Sequence, residues 1–176
     1  MRILKKVLIV IAILIALPLI IALFVKNDYH VEREVTVNRP KAEVFEYIKH
    51  LKNQNEYNVW IQADPNIKQE FRGTDGTVGF VTAWKGNDQV GEGEMEIAKI
   101  TEGRQVDIAL RFKKPFESND TAYMSTEDAT NGSTKVKWGM QGSNSYPKNI
   151  MNLFMGSMVG NSLQQGLDNL KTKLEK

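Results

Sequence analysis

Residues 104 to 112, RQVDIALRF, alternate, with the small Ala109 as the one apolar residue out of phase: Val106, Ile108, Leu110 and Phe112 stand against Gln105, Asp107 and Arg111. Successive side chains of a strand point to opposite faces, so this run has one face to bury and one to leave in water. Strands of that kind build an antiparallel sheet covered on one side only. Comparable runs surround it: VEREVTVN at 31–38, IKQEF at 67–71, VGFVTAW at 78–84, GEGEMEIAKI at 91–100, TAYMSTED at 121–128 and TKVKWGMQG at 134–142. The gaps from residue 72 onward are hairpin-sized and carry turn chemistry, including Gly73-Thr74-Asp75-Gly76 and Asn131-Gly132.

A one-sided sheet needs a cover, and residues 149–175 are the one long candidate. Leu163, Leu167, Leu170 and Leu174 step by 4, 3 and 4 along one helical face. A shorter helix is expected after Asn38-Arg39-Pro40, with Val44, Phe45, Ile48 and Leu51 on one side, followed by a polar linker around NQNEYNVW that ends in Trp60. The long helix carries Gly156, Gly160 and Gly166, each costing about 1 kcal/mol against alanine in a helix interior. They divide it into a softer N-terminal half and a leucine-rich clamp, with Gly166 placed for close approach.

From Val7 to Val25 the chain runs nineteen residues without a polar side chain. As a helix this stretch is about 28 Å long, close to the ~30 Å hydrocarbon core of a bilayer. MRILKK before it would also suit a cleaved secretory signal, but the run is too long and has no A-x-A site at its end, so it reads as an uncleaved anchor. Arg2, Lys5 and Lys6 are concentrated before it, whereas Lys26, Arg33 and Arg39 are dispersed among acids after it. That bias places the N-terminus in the cytoplasm and the following domain outside, periplasmic or extracellular. The expected division is residues 1–26 as anchor and 27–176 as a single domain.

Of 23 basic residues three precede the apolar segment, leaving 20 against 21 acids, so the domain is near neutral and does not have the footprint of a nucleic-acid binder. With no cysteine there is no disulfide and no thiolate chemistry, and the two histidines, His30 and His50, lack ligand spacing for a metal. No cofactor is expected, and the oligomeric state stays open.

VTVNRPKAEVFEYI, VGFVTAWKGN with VGEGEMEI, RFKKPFE, TKVKWGMQG and NLFMGSMVGNSLQQGLDNLKTKLE, in that order, resemble the SRPBCC or START-like superfamily, specifically its polyketide cyclase/dehydrase and lipid transport branch. The resemblance covers residues ~31 to 175. It implies an α+β helix-grip fold, a curved antiparallel sheet of about seven strands wrapped on a long C-terminal helix, and a cavity between them for a hydrophobic or amphipathic small molecule. Membership fixes the fold far better than the function.

Parity and the resemblance together select a cavity lining. The sheet contributes Phe80, Thr82, Trp84, Met95, Leu110, Phe112, Tyr123, Trp138 and Met140, and the helix contributes Met151, Phe154, Met155 and Met158, which puts a pocket mouth near residues 151–160. Tyr123, Thr82 and Arg111 are the only candidates for cyclase-type acid–base chemistry, and parity turns Arg111 outward. No nucleophile elbow or catalytic constellation is present. His50 beside Lys49 and Lys52 reads as a surface histidine. The leading expectation is therefore a membrane-tethered module binding a hydrophobic or lipid-like molecule. The alternatives are a cyclase-like enzyme, or a protein-interaction or stress-related domain with a vestigial cavity.

Overall fold

The computed structural model describes residues 2–176. Seven strands, β1 (Asp28–Val37), β2 (Lys68–Arg72), β3 (Val81–Lys85), β4 (Glu92–Thr101), β5 (Gln105–Lys114), β6 (Ser118–Asp128) and β7 (Thr134–Ser143), form one antiparallel sheet in the order β1-β7-β6-β5-β4-β3-β2. Four helices complete the fold: α1 (Arg2–Ala22), α2 (Lys41–Lys49), α3 (Val59–Gln62) and α4 (Asn152–Leu174). This is the α+β helix-grip arrangement, with the register shifts in β4 at Glu92/Gly93 and Ile97/Lys99 bending the sheet around α4.

Local chemistry accounts for the helix boundaries. Pro40, at φ −61°, caps α2, and its carbonyl accepts from the amides of Glu43 and Val44. Glu43 in the first turn and Lys49 in the last complement the helix dipole. α2 buries Val44, Phe45 and Ile48 over β5 and β6. α4 lies along β1 and β7, and Leu163, Leu167 and Leu170 are fully buried beneath it, each contributing about 1.5–3 kcal/mol by leaving water.

Two sequence expectations are corrected. The polar linker after α2 is helical: a 3-10 turn at Leu51–Glu56 leads through Tyr57 and Asn58 into α3, because Leu51, Gln54, Tyr57 and Asn58 turn inward and are buried. β3 begins at Val81 and not at Val78, since Gly79 at φ +86° belongs to a turn in which the Phe80 amide donates to the Thr77 carbonyl.

Registers Asp28 with Ser143, Glu92 with Lys114, Phe112 with Ser118 and Lys85 with Glu92 gather one end of every strand pair at the same edge of the domain. α1 enters β1 at that end and α4 departs from β7 there. α1 is long and apolar enough to cross a membrane, with Pro18 inside it, and it stands clear of the domain until Ala22.

The α4 glycines serve different ends. A Cβ on Gly166 would stand 2.7 Å from the Trp138 ring, and one on Gly160 would collide with the Arg33 guanidinium, whereas a Cβ on Gly156 would meet nothing within 4 Å. The Arg33 guanidinium donates to the Gly156 carbonyl at 2.8 Å. Helix propensity and packing therefore make opposite predictions along one helix. Gly156→Ala is expected to stabilise the protein by about 0.5–1 kcal/mol. Gly166→Ala is expected to destabilise it by about 1 kcal/mol net, since displacing a buried indole outweighs the gain in propensity. Urea midpoints of the two variants, measured side by side, check the difference in sign.

Candidate functional site

Between the inner face of the sheet and the segment from Gln54 to Ile67 lies a cavity of about 190 Å³, closed on a third side by Val159 of α4. Its floor is buried: Met95, Ile108, Ala122, Trp138 and Met140 from four neighbouring strands, with Gln54 and Asn58 opposite them. Its rim is half-buried and aromatic or aliphatic: Trp60, Ile61, Ile67, Trp84, Val90, Leu110 and Phe112. Trp84 meets Phe112 edge to face at 5.7 Å between centroids, and Trp60 meets Trp138 likewise at 6.2 Å. Trp84, Val90 and Phe112 lie at the end of the sheet where α1 joins.

The polar atoms on the wall are ordered from within. Asn58 caps α3 by accepting from the Trp60 amide at 3.0 Å, and its side-chain amide donates to the Gln54 carboxamide oxygen at 2.8 Å. The adjacent Tyr57 donates to the Met124 sulfur at 3.3 Å. No titratable side chain lines the cavity among the described residues. It offers apolar surface with two carboxamides, which suits holding and orienting a mostly apolar molecule.

Of the residues selected from sequence, Trp84, Met95, Leu110, Phe112, Trp138 and Met140 stand together around this space. Phe80 and Thr82 are buried on the same face but away from it, Phe80 stacked on Phe71 and the Thr82 hydroxyl without a hydrogen-bond partner. Tyr123 is not a cavity residue: β6 register opposes Ala122 to Ile108, so Tyr123 points to the outer face. There its hydroxyl donates to Glu32, its ring stacks on His30, and it occupies the space left by Gly139. Burial first, and then Glu32, hold the Tyr123 phenol above its ordinary range.

Met151 just before α4, and Phe154 and Met158 on it, are exposed and point away from the cavity, and Met155, packed against the core, lines a shallow groove with Phe24 and Val25. Asn152 holds the start of α4 against the chain leaving α1, which turns that stripe outward; of residues 151–160 only Val159 reaches the cavity lining. Gln54, Asn58, Trp60 and Ile61 were missed because they follow no period of their own. The one sequence signal for them was the pair of buried-type aromatics, Tyr57 and Trp60, in an otherwise polar stretch.

Outside the cavity, Arg111 lies on the outer face between Glu94 at 2.7 Å and Glu96 at 2.6 Å, and Arg72 reaches Glu94 at 2.8 Å. Arg72, and after it Arg111, hold the Glu94 carboxyl below its ordinary value of 4.5. His50 closes α2 and bridges Glu46 and Asp75 at 3.1 and 3.5 Å, its ring seated on Gly76, which ties α2 to the β2–β3 turn. Among the described residues no three His, Asp or Glu side chains converge as a metal site would require.

The sequence profile of a family described as polyketide cyclase / dehydrase and lipid transport matches residues 28–175. No curated protein matches the chain in sequence. Among solved structures it is similar to truncated norcoclaurine synthase from Thalictrum flavum, at 9% identity and a TM-score of 0.65, covering 85% of this chain and 94% of that one. It is similar to the protein XoxI from Bacillus cereus at 12% and 0.61, covering 83% and 95%, and to Ara h 8.0201 at 17% and 0.58, covering 84% and 97%. At such identities the likeness concerns the fold.

Two outcomes test the site's construction. Asn58→Ala removes the α3 cap and strands the Gln54 oxygen, and is expected to cost about 2 kcal/mol in denaturant unfolding followed by tryptophan fluorescence. Glu94, depressed in the folded state, contributes stability that is complete above the ordinary carboxylate value of 4.5 and fades as the pH falls through the depressed one. The stability difference between the parent and Glu94→Gln, measured from urea midpoints between pH 7 and pH 3, is therefore expected to shrink toward the acid end.

Proposed function

The chain belongs to the polyketide cyclase / dehydrase and lipid transport family, and from that premise we propose that it is a membrane-anchored module that binds a hydrophobic or lipid-like small molecule. Residues 1–26 are the anchor and residues 27–176 the binding domain. The N-terminus, carrying Arg2, Lys5 and Lys6, stays on the cytoplasmic side, and the domain is held outside.

The observation that carries this reading is the apolar cavity with its carboxamide wall. Its volume, about 190 Å³, exceeds the ~150 Å³ at which a dry apolar cavity accepts benzene, and falls below the ~300 Å³ at which pockets for drug-sized ligands begin. The ligand is accordingly a single ring or a short acyl segment inside, with any further part projecting past Trp60 and Phe112. The Gln54 and Asn58 carboxamides favour a molecule with one hydrogen-bonding group on its buried portion.

The full chain purified in detergent should carry a small apolar molecule detectable by native mass spectrometry, or take up an apolar fluorescent probe such as 8-anilinonaphthalene sulfonate. Ala122→Phe fills the floor from a central strand with a residue that suits a sheet, and is expected to weaken uptake about tenfold while leaving thermal stability unchanged or raised. No uptake by the parent, or uptake that Ala122→Phe leaves untouched, would overturn the reading.

A further inference from the structure

The exit from α1 is not a free linker. The Asn149 side-chain amide donates to the carbonyls of Ala22 and Val25, both at 2.8 Å, and the Asn152 side-chain amide to those of Lys26 and Asn27 at 2.9 and 2.7 Å. Asn144 locks the pair from the end of β7, its side chain donating to the Asn152 carboxamide oxygen at 2.8 Å and its amide to the Asn27 carbonyl at 2.9 Å. Asn149 is itself buried. The bond to Ala22 satisfies the last carbonyl of α1 and the others hold the segment that leaves it, so together they fix the start of α4 against the end of α1.

What this clamp holds there is apolar and exposed. Met151 at the N-cap of α4 and Phe154 and Met158 on the helix, spaced 3 and 4 apart, form one stripe, with Phe154 56% and Met158 64% exposed. Leu153 flanks it, and Phe116, 64% exposed in the β5–β6 turn, sits under Lys148 at 5.7 Å. Lys148 stands over Phe116, and the adjoining segments carry Lys26 after α1 and Lys113 and Lys114 at the end of β5, Lys114 paired with Glu92 at 3.6 Å, together with Asp28 and Glu117. Aromatic and thioether side chains bordered by lysines, at the point where an apolar helix ends, match the composition of residues that settle at the boundary of headgroups and acyl chains.

We infer that this surface, Phe116, Met151, Leu153, Phe154 and Met158, beds into the bilayer that α1 crosses, at the boundary between headgroups and acyl chains. The inference rests on α1 being the membrane-spanning anchor proposed above. It goes beyond that reading by assigning the domain one orientation: lying down on the lipid, not tethered above it. Because Trp84, Val90 and Phe112 lie at the same end of the sheet, the cavity rim then faces the lipid, and a ligand passes between bilayer and cavity without crossing bulk water.

The absence of native cysteine allows a clean test. Single nitroxide labels on Phe154→Cys and Phe116→Cys, on Leu14→Cys within α1 and on Thr172→Cys at the far end of α4 are compared in the full chain. The chain is reconstituted in vesicles of phosphatidylcholine and phosphatidylglycerol, and the readout is collisional access to oxygen and to a water-soluble nickel chelate. The expected result is an oxygen-to-nickel ratio at 154 and 116 several-fold above that at 172, with the highest value at 14. A high ratio at 14 with water-like values at 154 and 116 would overturn the docking while leaving the anchor standing. A water-like value at 14 would overturn both. Spin–spin broadening at 154 without lipid access would assign the face to a second copy of the chain, and so also overturn the proposal.

Discussion

A helix about 10–12 Å across cannot cover a sheet of seven strands, which is about 29 Å wide at the ordinary strand spacing. α4 spends its leucines on β1 and β7, where Leu163, Leu167 and Leu170 are fully buried. The inner face of β4, β5 and β6 must be covered by something else, and α2 with the short helical turns from Leu51 to Gln62 does so. The two covers meet where the Asn169 side-chain amide of α4 donates to the Tyr57 carbonyl at 3.2 Å, but they do not fill the middle of the sheet. The space left between them, floored by Met95, Ile108, Ala122 and Trp138, is the cavity.

Several smaller features follow from that division. Trp138 stands beneath both covers: it packs against Trp60 on one side and runs under Gly166 on the other, so α4 can approach the sheet only where it lacks a Cβ. Gly160 makes room in the same way for Arg33, which faces the helix from β1 and donates to the Gly156 carbonyl. The propensity lost at these positions is exchanged for close approach, which a helix held by tertiary packing can tolerate. On the other side of the sheet charges stand in pairs such as Arg111 with Glu94 and Glu96, where water lowers the cost of desolvation.

The end of the molecule where α1 joins obeys a different constraint. Helix termini expose carbonyls, and α1 ends where a buried carbonyl would be costly without a partner. Asn149 and Asn152 supply donors to Ala22 and to the residues after it, and because both belong to the entry of α4, the answer to a local hydrogen-bonding need also sets where α1 meets the rest of the fold. The methionine and phenylalanine stripe at the start of α4 faces away from the cavity because this clamp turns it outward.

What could be read from the chain alone was whatever repeats. The period of two in β5 and its neighbours dictated a one-sided antiparallel sheet, the leucine ladder its covering helix, and nineteen uninterrupted apolar residues a segment able to span a bilayer. Tyr123 was misplaced because β6 carries polar residues on both faces, so its parity is set by pairing Ala122 with Ile108, which no local pattern encodes. The helical turns between Leu51 and Gln62 were hidden for a related reason: they are too short for a period, and only burial of Tyr57 and Asn58 against distant strands stabilises them. Periodicity along the chain is local chemistry and survives in a sequence, whereas the cavity and the outward turn of α4 arise from which surfaces remain uncovered once all the elements have packed, and that is decided only in three dimensions.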